Sequence, residues 1–190
     1  NFREEGLGIE DQRLLFRIWI LALFFPELFP TRPILALIGE RGSGKSITLR
    51  KLGQLLFGPL FNVMPLSDDP KDFDAAVTHD PFVALDNADT RKGWVDDRLA
   101  VVATGGTIKR RELYTTNRLV EYPVKAFLGI TSRTPHFRRE DVADRLLLFH
   151  LSRFEIFEAE SGLLAELMAN REMILTELVE DLQAVVRILR

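Results

Sequence analysis

The run GERGSGKS at residues 39–46 constrains this chain more than any other feature. Glycines at Gly39, Gly42 and Gly44 permit backbone angles that other residues resist, so successive N–H groups can turn into one concavity. A helix starting behind such a loop adds its positive N-terminal end. Lys45 is then spaced to reach β- and γ-phosphates, and the Ser46 hydroxyl suits Mg²⁺. By chance, the four fixed positions arise in roughly one chain of this length in a hundred or fewer. The alternative is a plain glycine turn before a helix, and the flanks weigh against it. The unbroken apolar run ILALI before the loop has the pattern of a buried parallel strand, and residues 45–57 behind it form a helical tract closed by Gly58 and Pro59. The expected ligands are ATP and Mg²⁺. Gly39, Glu40, Arg41, Gly42, Ser43, Gly44, Lys45, Ser46 and Ile47 would surround the nucleotide.

A chain of 190 residues with 46% hydrophobic content can bury one good core. It has no cysteine, so neither a disulfide framework nor a cysteine zinc site is available, and its three histidines follow no metal-binding spacing. The most apolar run, residues 14–25, contains Arg17 and stops at Pro26, too short to span a bilayer. A cytoplasmic protein without membrane contact is expected. The start at Asn1 suggests a piece of a longer protein. The net charge of −3 conceals a basic third quarter: residues 105–145 hold nine Lys/Arg against five Asp/Glu, so any polyanion contact is expected there.

Apolar positions at helical spacing predict a helix over residues 10–25, broken by Pro26, Pro30 and Pro33. After the loop and its helix, strands are expected at 61–65 and at 81–85, the latter ending on Asp86, and a helix at 94–103 closed by Gly105 and Gly106. Residues 107–113 and 118–122 alternate around Thr115, Thr116 and Asn117, predicting a β-hairpin. Further strands are expected at 126–130 and 146–151, followed by two amphipathic helices over 163–190 with a break near Ala169 and Asn170. Strands separated by helical segments imply an α/β fold with a mostly parallel sheet covered on both faces. The expected organisation is an N-terminal helical segment (1–30), a core (31–152) with a hairpin insert at about 105–122, and a C-terminal helical extension (153–190).

Phosphoryl transfer also needs a carboxylate at the end of a neighbouring strand to hold the Mg²⁺ shell, and Asp86 is the candidate. The next residue is Asn87, where an acid would polarise the attacking water, so Asp89 is the substitute base unless it caps the next segment. After the fourth core strand, Ser132, with Thr131 second, could sense the terminal phosphate or simply form a turn. Arg145, with Arg138 and Arg139 nearby, could act on a neighbouring subunit's phosphates or pair with Asp141 or Asp144. Lys109, Arg110, Arg111 and Arg118 surround the hairpin turn beside Tyr114 and Tyr122. They could track a single-stranded phosphate backbone or pair with Glu112, Glu121 or the acidic C-terminal helices.

With GERGSGKS, VALDNAD, ATGGTIKRRELYTTN, ITSRTP and REDVADRLL in this order, the chain resembles the AAA+ branch of P-loop ATPases. Over roughly residues 10–155 it looks closest to helicase domains of viral and mobile-element primase-helicases, related to superfamily 3 and the poxvirus-type group. That resemblance implies a three-layer P-loop NTPase core with a five-stranded sheet of order 5-1-4-3-2, assembled as a homo-oligomeric ring, usually a hexamer. Asn87 and Ser132 depart from the usual acid and Asn of that group, which bears on hydrolysis more than on nucleotide binding. The functional expectation is an ATP-driven motor on single-stranded or forked DNA, serving replication of a phage or mobile element. A non-processive ATP-dependent switch, such as an initiator or loader, is the alternative; a small-molecule kinase would devote a lid and an acceptor pocket to its substrate, and the sequence shows neither.

Overall fold

The computed structural model describes residues 6–88, 92–111, 119–134, 139–153 and 158–189. A five-stranded sheet lies between two helical layers. It is built from β1 (Ile34–Ile38), β2 (Met64–Pro65), β3 (Phe82–Asp86), β6 (Phe127–Ser132) and β7 (Leu146–His150) in the order β2-β3-β6-β1-β7, with every neighbouring pair parallel. The hairpin strands β4 (Thr107–Arg111) and β5 (Leu119–Pro123) form a separate antiparallel pair. In chain-order labels the sheet therefore differs from the expected 5-1-4-3-2, because the hairpin takes two numbers without joining it.

Side-chain alternation along the strands divides the core into two layers. Ile34, Ala36, Ile38, Val83, Leu85, Leu128 and Ile130 pack against α3 (Pro70–His79) and α4 (Val95–Ala103). Leu35, Leu37, Phe82, Ala84, Phe127 and Phe149 pack against α1 (Ile9–Ala22) and α2 (Lys45–Phe57). Strands buried on both faces must be apolar at every position, which is why ILALI shows no alternation. Trp19 of α1 packs edge-on to both Phe82 and Phe127 and donates its indole N–H to the Pro33 carbonyl at 2.7 Å, fixing α1 beside the start of β1.

The stretch between α2 and β3 differs from expectation in two ways. The strand expected at 61–65 shrinks to Met64–Pro65, because Phe61 instead stacks on Phe82 with ring centroids 5.4 Å apart, and Asn62 turns its side chain back to the Val63 N–H. Between β2 and β3 stands α3, which the reading of the sequence omitted. Its start is encoded locally, for Asp69 accepts a hydrogen bond from the Lys71 N–H and Pro70 occupies the first turn.

The C-terminal helices are α6 (Glu160–Ala169) and α7 (Arg171–Leu189), and Arg171 donates to the Leu55 and Gln54 carbonyls at the end of α2. A short helix, α5 (Glu140–Ala143), precedes β7. Among the described residues no helix is long and apolar enough to cross a membrane.

Candidate nucleotide-binding site

The carboxyl ends of β1, β3 and β6 lie side by side, and the loop at 39–46 leaves β1 at that edge. Gly42 and Gly44 take φ of +82° and +84°, which glycine alone adopts freely, and Gly44 caps α2 at its N-terminus. Ser43 is fully buried beneath the loop, while Glu40 and Arg41 are exposed at its crest. Lys45 folds back so that its ammonium donates to the Gly39 carbonyl at 2.8 Å and the Glu40 carbonyl at 2.7 Å. A positive charge is thus held inside the turn, beside the start of a 13-residue helix whose first N–H groups have no partners within the helix. Ile47 continues the first turn of α2.

Asp86 ends β3 beside Ser46, whose hydroxyl donates to Asp86 Oδ1 at 2.6 Å. The Thr131 hydroxyl donates to the same oxygen at 2.6 Å and accepts the Asn87 N–H at 2.9 Å. Burial pushes the Asp86 pKa upward. The Ser46 and Thr131 hydroxyls, the Asn87 N–H and the Lys45 charge outweigh it and hold the carboxyl below its ordinary value. Asp86 is therefore an anion at neutral pH, next to the hydroxyl expected to meet a metal.

Asn87 sits at φ +53°, in the left-handed region that asparagine tolerates better than most residues. The Ala88 N–H then returns to the Thr131 carbonyl at 2.8 Å. The sharp turn gives a backbone reason for asparagine where an acid was expected, since glutamate would be strained there.

Of the two adjacent hydroxyls at the end of β6, the one at Asp86 belongs to Thr131. Ser132, ranked first from the sequence, is buried and donates to the Thr134 carbonyl at 2.8 Å, while its own carbonyl accepts the Gly39 N–H at 3.2 Å. Arg145 stands at the opposite edge of the sheet, where its carbonyl accepts the Ile34 N–H, and its guanidinium lies 4.0 Å from Asp141. The length of β1, ~16 Å at the usual strand rise, separates it from the loop of its own chain. Arg139 engages Asp97 and, at 2.6 Å, Asp141; the Asp141 carboxylate, foremost among its neighbours, holds its pKa above the ordinary arginine value.

In the hairpin, Lys109 pairs with Glu121 across the strands at 2.7 Å. Arg110 and Arg111 follow on β4, opposite Val120 and Leu119. Arg118 and Asp89 lie outside the described residues. The hairpin base is tied down: Ile108 and Val124 are buried, the Val124 N–H bonds Gly106, and Arg32 donates to the Val124 carbonyl at 2.8 Å.

The family of actinomycete integrative conjugative element replication proteins matches residues 10–190. The chain belongs to that family. Its place is thus among replication proteins of a mobile element. No curated protein matches it. Among solved structures, an A-form apo structure of the NrS-1 C-terminal region is similar with a TM-score of 0.59 at 17% identity, over 84% of this chain and 40% of that one. A second apo structure of the region gives 0.53 at 18% identity, over 86% and 41%. At this identity the likeness is one of fold, and the chain spans about two fifths of the length of those structures. A JCV helicase aligns more loosely, with a TM-score of 0.38.

Proposed function

We propose that this chain is an ATP-binding and ATP-hydrolysing domain that drives work on single-stranded or forked DNA during replication of its element, in the cytoplasm. The observation that carries the reading is the convergence of Lys45, Ser46 and Asp86 at one sheet edge, with Ser46 and Asp86 2.6 Å apart. The residues fit Mg²⁺-ATP: a glycine turn with two positive-φ positions, an internal ammonium, a helix N-terminus and an ionised carboxylate beside a hydroxyl. Residues 39–47 would hold the nucleotide, and Ser46 and Asp86 the metal. Bound Mg²⁺ would neutralise charge on the phosphates. Lys45 would exchange its carbonyl partners for phosphate oxygens, and Thr131 would keep Asp86 and the Asn87 backbone fixed while it does so.

Arg145 cannot serve the loop of its own chain across the length of β1, ~16 Å at the usual strand rise. An arginine role in hydrolysis therefore requires a neighbouring copy, which favours a homo-oligomeric ring such as the hexamer of superfamily 3-like ATPases. The hairpin bearing Lys109, Arg110, Arg111 and Arg118 is the DNA-contacting element in this reading. The pairing of Lys109 with Glu121 reduces the share of that contact that Lys109 itself would carry.

A second reading has a specific observation in its favour. Asn87 supplies no carboxylate beside Asp86, which suits an ATP-dependent switch that binds nucleotide without rapid turnover. ATP turnover with and without single-stranded DNA separates the two. The motor predicts DNA-stimulated hydrolysis that vanishes in Lys45→Ala and falls at least tenfold in Arg145→Ala, with nucleotide affinity of the latter unchanged. Tight ATP binding without turnover at any protein or DNA concentration would refute the motor and leave the switch.

A further inference from the structure

Two residues past Leu151, the chain delivers Arg153 to the phosphate-binding loop. The Leu151 N–H bonds the Ile38 carbonyl at 2.7 Å, extending the pairing of β7 with β1. The Leu151 carbonyl then crosses Gly39 so closely that a Cβ there would meet its oxygen at 2.4 Å. Beyond this crossing, Arg153 Nε lies 3.7 Å from where a Cβ of Gly42 would stand and is the nearest neighbour of that position. That distance is ordinary van der Waals contact, so the guanidinium rests against the loop at Gly42.

Arg153 is exposed, and among the described residues no carboxylate pairs with it. An arginine with no acidic partner among the described residues, held against a glycine-rich turn, has five N–H donors suited to phosphate oxygens. Arg41 on the loop crest and Arg133 just after β6 are exposed at the same edge, so the surroundings favour a polyanion. Arg153 differs from both because the anchored Leu151 crossing fixes its backbone within reach of Gly42.

We propose that Arg153 is a phosphate-contacting residue of its own chain's nucleotide site, donating guanidinium hydrogen bonds to the polyphosphate held by residues 39–46. The inference rests on the ATP-binding reading above. It adds a contact from the segment leading towards α6 and α7, which the loop motif does not include.

Calorimetric titration of the purified chain with ATPγS and Mg²⁺ tests it, alongside titration with a single-stranded oligonucleotide. Arg153→Ala should lose roughly tenfold or more in ATPγS affinity, the scale of one charge-assisted hydrogen bond. Arg153→Lys should lose less, since lysine keeps the charge but not the planar fork. The melting temperature without nucleotide should not change in either variant, because the side chain is exposed. If Arg153→Ala binds ATPγS like the wild type while Lys45→Ala does not bind, the inference is overturned and the ATP-binding reading stands. Wild type that binds no ATPγS sinks both. Unchanged ATPγS affinity with weakened oligonucleotide binding would assign the arginine to DNA and likewise overturn the proposal.

Discussion

Replacing Thr131 by valine keeps the shape of the side chain and removes one hydroxyl that joins two parts of the candidate site. The variant loses the 2.6 Å bond to Asp86 Oδ1 and the acceptor for the Asn87 N–H. A hydrogen bond to a charged group contributes about 1.5–3 kcal/mol. Asp86 is only half-buried and Asn87 is exposed, so water replaces part of what is lost and the lower end applies, about 1.5 kcal/mol. For a chain of this length that corresponds to a fall in melting temperature of roughly 3–6 °C. The pH dependence supplies a second signature. The folded-state pKa of Asp86 lies below its ordinary value, so its contribution is present above the unfolded carboxylate pKa, near 3.9, and disappears as pH falls through the folded value. The gap between wild type and Thr131→Val should therefore be full at pH 7 and shrink below about pH 4. Thermal unfolding followed by circular dichroism, without nucleotide, measures both. A variant that melts within a degree of wild type at pH 7, or a gap that does not narrow in acid, would refute the assignment of Thr131 as the residue that fixes Asp86.

Other substitutions probe the scaffold around the site. Gly39→Ala places a Cβ 2.4 Å from the Leu151 carbonyl and 2.8 Å from Ser43 Oγ, and neither partner is a flexible chain end. A loss of about 2 kcal/mol is expected by analogy with overpacked cores, and an unchanged melting temperature would mean that the β7 exit does not press on the loop. Asp74→Ala removes the carboxylate that meets Arg98 Nε at 2.7 Å and Nη2 at 3.0 Å, joining α3 to α4. Asp74 is 4% exposed at its side chain, so about 3 kcal/mol should be lost by denaturant unfolding, and a loss below about 1 kcal/mol would show the pair to be dispensable.

Much of this molecule is legible in one dimension. The loop at 39–46, the buried strand before it, the helix behind it and Asp86 at a strand end all follow from patterns local to a few residues. The hairpin and the two C-terminal helices follow the same rule. The start of α3 is equally local, in the Asp69 cap and Pro70.

Other features depend on which residues meet across the sheet, and no local pattern carries that. Successive residues of a strand point to opposite faces, so the register of β3 with β6, which pairs Leu85 with Ile130 and sets Asp86 beside Thr131, decides which hydroxyl meets Asp86. The pairing of β1 with β7 puts Arg145 at the far end of β1 from the loop, and the Leu151 crossing brings Arg153 to Gly42. Asn87 reads from the sequence as a missing acid, whereas the fold makes it the residue that turns the backbone at φ +53°. The expectation of phosphate chemistry at Gly39, Lys45 and Ser46 needs nothing beyond the chain's own order of residues, because a glycine turn and its lysine act within eight residues. Which distant hydroxyls and arginines lie near them is set by the fold, because strand register and chain crossings depend on packing between segments far apart in the chain.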